Sequence, residues 1–215
     1  MPATTTVKTQ TPATHRGYHH GDLRRTLIDA ALALVTEEQN WDFSLREVAR
    51  RAGVSHSAPY NHFPDKLHLL DAIAASGFEA LEQRMRAAIA GHDDGKAAVR
   101  AIAQAYVAFA TSNPALYRLM FGPEFARPDF CAEAAEAAGT GAKAVLREVI
   151  VRGIADRRFD VRDDPASIEM AILSCWSLVH GLAMLMIDET ANQTAPLDEL
   201  VKAVMRPFLR GLCRR

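Results

Sequence analysis

Residues 44–63, SLREVARRAGVSHSAPYNHF, restrict the possible folds more than any other stretch of this chain. Ser44 with Glu47 three positions later is a capping box, and Leu45, Val48, Ala49 and Ala52 fall on one face of a short helix. Gly53 follows where a residue of positive φ closes a helix. Val54 packs under the turn, and Ser55 or Ser57 caps a second short helix, Ala58–Phe63, with Pro59 in its first turn. Two helices joined by so tight a turn cross closely, which requires a small residue, here Ala49, at the contact. Leu45, Val48, Val54 and Phe63 must then be pinned to a further helix. The preceding segment supplies it: a helical period opens at Asp22, an expected N-cap, repeats through Leu23, Leu27, Ala30, Ala31, Leu34 and Val35, and ends at Gln39-Asn40. Trp41 and Phe43 anchor the loop between them. A plain helical hairpin meets the same spacing, so function needs more than this.

Beyond Pro64, Asp65 caps a long helix with apolar positions Leu67, Leu70, Ile73, Ala74, Phe78, Leu81, Met85 and Ile89, fading at residues 91–95, GHDDG. Helices are expected over Ala97–Thr111, from Pro114 to near Phe121, over Phe130–Ala138, over Ala142–Arg157, from Pro165 behind an Asp164 cap to about Asp188, and over Leu197–Leu212. Ala and Leu are frequent, β-branched runs are few, and no strand, fixed-period repeat or phosphate-binding glycine loop appears. The expected fold class is all-α. Met170–Ile187 carries no formal charge over 18 positions, the lower limit for a membrane span. Ser174, Ser177, His180 and Gly181 interrupt it and acidic residues flank both ends, so a helix buried in protein is expected and no membrane association.

The 215 residues are 49% hydrophobic and 24% charged, which fits a folded chain and excludes a disordered one. Net charge is −1, and residues 1–68 hold 8 Lys/Arg against 7 Asp/Glu, so any affinity for nucleic acid must be local. Six of the eight histidines lie in that front part: His15, His19, His20, His56, His62 and His68. His15, His19 and His20 have only Asp22 nearby to complete a metal site, and no metal or other cofactor is expected. Cys131, Cys175 and Cys213 are odd in number and far apart, which reads as free thiols in a reducing, cytoplasmic setting. Residues 1–15 lack an apolar core and read as a tail rather than a secretory signal. No GxSxG, HExxH or P-loop motif exists, and Glu133 and Glu136 read as an exposed helix face, so an enzyme is not expected.

The segment Gly21–Leu70 resembles the TetR (tetracycline-repressor-like) family of bacterial transcription regulators, through SLREVARRAGVS at 44–55 and PYNHFPDKLHLL at 59–70. The spacing Tyr60-x-His62-Phe63-x-x-Lys66 is far more specific than a generic helix-turn-helix. NPALYRLMF at 113–121 and WSLVHG at 176–181 resemble the subset with a Trp…His-Gly signature in its ligand domain. The resemblance implies a helix-turn-helix DNA-binding domain over 16–66, after the 1–15 tail, and a helical ligand-binding and dimerisation domain over 67–215. It implies that His56, Ser57, Ala58 and Asn61 lie at base edges in the major groove, where Asn reads adenine, and that Arg46 reaches a guanine. It implies that Tyr60, His62 and Lys66 grip phosphates, although His62 also reads as a ring packed under Phe63. Arg50 and Arg51 read as either phosphate contacts or a solvated face, and His15, Arg16 and Arg24 as a basic arm. Pro59 departs from the bulky aliphatic usual at its position.

For the rest of the chain the resemblance implies a homodimer paired through its last two helices, and a small-molecule effector. Tyr106, Phe109, Tyr117, Met120, Phe121, Phe125, Trp176, His180 and Met184 are the candidate pocket residues. Aromatic and Met side chains at helical spacing also serve as plain core, and His180 also reads as a buried histidine hydrogen-bonded inside the bundle. The expected function is a ligand-responsive regulator, a repressor released from a palindromic operator by a small molecule. The competing reading is a constitutive DNA binder with no effector.

Overall fold

Caps define where the helices begin. The computed structural model describes residues 20–38, 40–122, 132–190 and 195–213. Among these are eight α-helices: α1 (His20–Glu38), α2 (Leu45–Arg51), α3 (Lys66–Ile89), α4 (Gly95–Ser112), α5 (Pro114–Met120), α6 (Glu133–Ala155), α7 (Pro165–Ile187) and α8 (Leu197–Leu212). No strand occurs among the described residues; one isolated antiparallel bridge joins Phe159 to Cys213. The expected tail 1–15, the arm residues His15 and Arg16, His19, Cys131 and the pocket candidate Phe125 lie outside the described residues.

The capping box forms as its spacing predicts. Ser44 Oγ accepts from Glu47 N at 3.2 Å, and Ser44 N donates to Glu47 Oε2 at 2.7 Å. Gly53 takes φ +69°, the left-handed region, and closes α2. Asp65 accepts from His68 N at 3.0 Å to start α3, Asp94 accepts from Lys96 and Ala97 to start α4, and Asp164 accepts from Ser167 N at 2.9 Å ahead of Pro165. At α1 the expected cap fails: the helix begins at His20, which places Asp22 inside its first turn.

Two further expectations are corrected. The second short helix is not Ala58–Phe63 but a 3₁₀ turn, Ala58–Asn61. Its bonds are Tyr60 N to Ser57 O and His62 N to Pro59 O, and Phe63 N adds one reach of four residues to Pro59 O. Pro64 stops the chain five residues after Pro59, which leaves room for little more than one turn, so regular α-helix never propagates. Conversely, Phe130–Ala138 and Ala142–Arg157 are not separate: α6 runs unbroken from Glu133 to Ala155. Gly139 and Gly141, between the two expected helices, are part of its contact surface. A Cβ on Gly141 would collide with the Glu82 carboxylate of α3, and one on Gly139 would touch the Phe78 ring. Their absence lets α6 lie directly on α3, the most extensive helix pairing in the molecule.

α1, α2 and the 3₁₀ turn form the front of the molecule around Leu27, Ala31, Val35, Val48, Ala49 and Phe63. α3 leaves this cluster and runs into the bundle, packing on α4, α5 and α6; α7 and α8 close the other side against α4. One core spans both parts. α6 has no cap from its own chain neighbours. Asp71 of α3, the one charged side chain buried among the described residues, supplies it across the interface, accepting from Ala134 N at 3.2 Å and Ala135 N at 3.0 Å. Only 28% of the most apolar stretch of α7 is buried by its own chain, and Met170, Leu173 and Leu185 stand exposed.

Candidate nucleic-acid interface and ligand cavity

At the front, α1 holds α2 and α2 holds the 3₁₀ turn, with Pro59 and Phe63 buried. That packing fixes which side chains face outward. Arg46, His56, Ser57, Tyr60 and Asn61 are exposed, Tyr60 by 52%. Ala58, His62 and Lys66 are half-buried. His62 therefore lies partly against the core beside Phe63, between its two sequence readings. Lys66 begins α3, with Nζ 4.9 Å from the Phe43 ring centroid, and the Arg24 guanidinium lies 5.2 Å from that of Phe63. Arg50 is exposed, whereas Arg51 makes a two-pronged ion pair with Glu37 at the end of α1. That pair holds the Glu37 carboxyl below its ordinary range, and ties Arg51 to α1.

Within the bundle lies a cavity of about 400 Å³. Phe78, Leu81 and Met85 of α3 and Ile102 of α4 form one wall; Ile172, Cys175, Trp176 and Val179 of α7 form another. α6 crosses the opening, with the exposed Glu136, Thr140 and Lys143 along its edge and Ala135, Gly139, Ala142 and Leu146 below. The Lys143 ammonium sits 4.8 Å from the Trp176 ring centroid. Such a space, apolar inside with a few polar groups, is the ordinary form of a small-molecule site.

Of the sequence candidates, Tyr106, Met120, Phe121 and Trp176 line this cavity. Tyr117 and His180 do not; they stand behind it as a polar chain. His180 Nδ1 is 2.7 Å from Tyr117 Oη, Tyr117 Oη donates to Tyr106 Oη at 2.9 Å, and Trp176 Nε1 donates to the same Tyr106 oxygen at 3.0 Å. The Phe121 ring packs edge-on to His180 and Phe78, with centroids at 4.8 and 5.3 Å. Burial pushes the Tyr106 hydroxyl up to about 12 and Tyr117 higher still, and holds His180 below its usual value, so the chain is neutral at pH 7. Phe109 and Met184 lie outside the lining: Phe109 is buried under the Arg84 guanidinium, 5.3 Å from its ring centroid.

Sequence reading missed the α3 and α6 walls and Cys175. Phe78, Leu81 and Met85 read as ordinary core because their spacing is that of any buried helix face. It also missed Asp71, although a lone carboxylate inside the apolar run Leu69–Ala75 signals a buried partner. Burial raises the Cys175 thiol to about 12, which leaves it unreactive in this wall.

Residues 99–208 match the family model for the tetracyclin repressor-like C-terminal domain, and residues 27–73 match that for bacterial regulatory proteins of the tetR family. A protein of unknown function from Rhodococcus sp. RHA1 is 33% identical, with 93% of this chain and 100% of that chain aligned at a TM-score of 0.80. The TetR family transcriptional regulator PfmR from Thermus thermophilus shares the fold at 22% identity, covering 87% of this chain and 99% of that chain (TM-score 0.64). So does the fatty acid degradation regulator FadR from Bacillus halodurans, at 16% identity, covering 89% and 97% (TM-score 0.70). The family is one of DNA-binding regulators rather than enzymes. With both of its characteristic regions present around a continuous helical core, the chain belongs to the TetR family of transcriptional regulators.

Proposed function

We propose that the protein is a homodimeric, cytoplasmic repressor that a small molecule releases from a palindromic operator. The observation that carries this reading is the pairing of an outward polar surface on α2 and the 3₁₀ turn with a cavity whose α3 wall continues into that surface. Residues 16–66 act as the reading head and 67–215 as the sensing and dimerising part. In the head, His56, Ser57, Ala58 and Asn61 face base edges, Arg46 reaches a guanine, and Tyr60, His62 and Lys66 hold phosphates.

Dimerisation through α7 and α8 explains the apolar surface left open on α7. Met170, Leu173 and Leu185 are exposed, and Ser174, Ser177, Leu178, Pro207, Phe208 and Gly211 outline a shallow depression between the two helices. A second copy related by a two-fold axis covers this face and places two heads one helical turn of DNA, about 34–36 Å, or a multiple of it, apart. A ligand that prefers one arrangement of α3 against α6 shifts the population of head spacings, and the operator no longer fits.

The test uses the DNA upstream of the protein's own gene, in a gel shift with wild type, Arg46→Ala and Tyr60→Ala, together with size-exclusion chromatography. Each variant is expected to lose about tenfold or more in operator affinity while eluting as the same dimer. Unchanged affinity in both, or a monomeric wild type that ignores the DNA at low salt, overturns the reading.

A further inference from the structure

The polar chain behind the cavity determines what Tyr106 has to offer a ligand. A phenol oxygen accepts two hydrogen bonds and donates one. At Tyr106 both acceptor positions are taken, one by Trp176 Nε1 at 3.0 Å and one by the Tyr117 hydroxyl at 2.9 Å. Because Tyr117 donates to Tyr106, its 2.7 Å contact with His180 Nδ1 requires the imidazole to donate. His180 Nδ1, 3.4 Å from Tyr106 Oη, then carries a proton and accepts nothing from it. Among the described residues no acceptor takes the Tyr106 proton, and Tyr106 is a lining residue of the cavity, whereas Tyr117 and His180 are not.

We infer that Tyr106 presents the cavity with a hydrogen-bond donor and no acceptor, so the effector is an apolar molecule carrying a carbonyl-type acceptor oxygen at the end that meets Tyr106. This deepens the proposed function and rests on the cavity being its effector site. Trp176, Tyr117 and His180 are positioning residues: they fill the Tyr106 lone pairs and thereby fix the direction of its proton. Leu81, Met85, Ile102 and Leu146 receive the apolar remainder. A ligand whose polar end only donates finds no free lone pair on Tyr106, and leaves its own donor unpaired at that end of the cavity.

The test is thermal-shift titration of the full chain with 2-octanone, its alkene isostere 2-methyl-1-octene, and octylammonium, on wild type and Tyr106→Phe. The ketone is expected to bind wild type at least about threefold tighter than the alkene, the gain of one net hydrogen bond, and octylammonium more weakly than either. In Tyr106→Phe the ketone's advantage over the alkene is expected to vanish. If the variant fails to fold, the three-probe order on wild type decides alone. Octylammonium binding tightest, or ketone and alkene binding equally, overturns the donor assignment and leaves the cavity as an effector site. Failure of all three probes to bind overturns both.

Discussion

The front of the molecule and its cavity dispose of polar groups in opposite ways. Around α2 and the 3₁₀ turn the interior is purely apolar, and Arg46, His56, Ser57, Tyr60 and Asn61 all face water. Around the cavity the hydroxyls of Tyr106 and Tyr117 turn inward and are joined by one hydrogen bond, with His180 and Trp176 at the ends. An outward set is free to meet a charged polymer without loss to the fold. An inward set contributes to the fold, because each member left unpaired retains its full desolvation penalty. Substitutions should therefore separate cleanly: changes within that outward set alter binding and spare stability, while polar changes at the cavity cost stability first.

The strongest way to break this contrast is at the front's apolar support. Phe63→Ala removes a ring that is 2% exposed beneath the 3₁₀ turn, and urea denaturation should show a loss of about 3–5 kcal/mol. A loss under about 1 kcal/mol would mean that the turn is not held by its core. Tyr117→Phe deletes one hydroxyl from the fully buried ring and strands Tyr106 and His180; the expected loss is about 1–3 kcal/mol by the same measurement. Ser44→Ala removes the capping oxygen from α2 and should cost about 1 kcal/mol, together with a higher rate of amide exchange at Glu47. Tyr60→Phe, which deletes a hydroxyl from a ring 52% exposed, should change stability by less than about 0.5 kcal/mol. An effect of Tyr60→Phe equal to that of Tyr117→Phe would erase the distinction.

Acid sharpens it further. Burial holds His180 below its ordinary value of 6.5. As pH falls, the unfolded chain takes up this proton before the folded one, so the contribution of neutral His180 is complete above about pH 6.5 and is lost below it. Denaturation midpoints should fall from about pH 7.5 to about pH 5.5, and fall less in His180→Gln. An identical slope in the variant would place the acid sensitivity elsewhere.

What could be read from the sequence follows the same division. The Ser44–Glu47 box, Gly53, Asp65 and Asp164 are local devices whose partners lie within three residues, and each forms as its spacing predicts. The all-α class and the limits of α3 and α8 followed from period and caps alone. Where sequence reading went astray, the deciding contact is distant. The gap left between Phe130–Ala138 and Ala142–Arg157 closes because Gly139 and Gly141 lie against Phe78 and Glu82, far earlier in the chain. Phe109 and Tyr106 share a helical stripe, yet only Tyr106 reaches the cavity, because the rotation of α4 is set by α3 and α7. Likewise Tyr117 and His180 carry the right chemistry, but their place one layer back depends on helices that meet only in three dimensions. The 3₁₀ turn is the local exception: Pro64 was visible, and it leaves the element room for little more than one turn.

Asp71 sits six residues past the cap of α3, yet its carboxylate grips the first turn of α6. The cavity edge formed by Glu136, Thr140 and Lys143 begins immediately beyond that grip. An intruder that pushes this edge along its own axis works against two N–H hydrogen bonds to a sequestered carboxylate. Through that carboxylate the edge of the cavity is tied to the base of α3, the helix that starts just beyond the 3₁₀ turn.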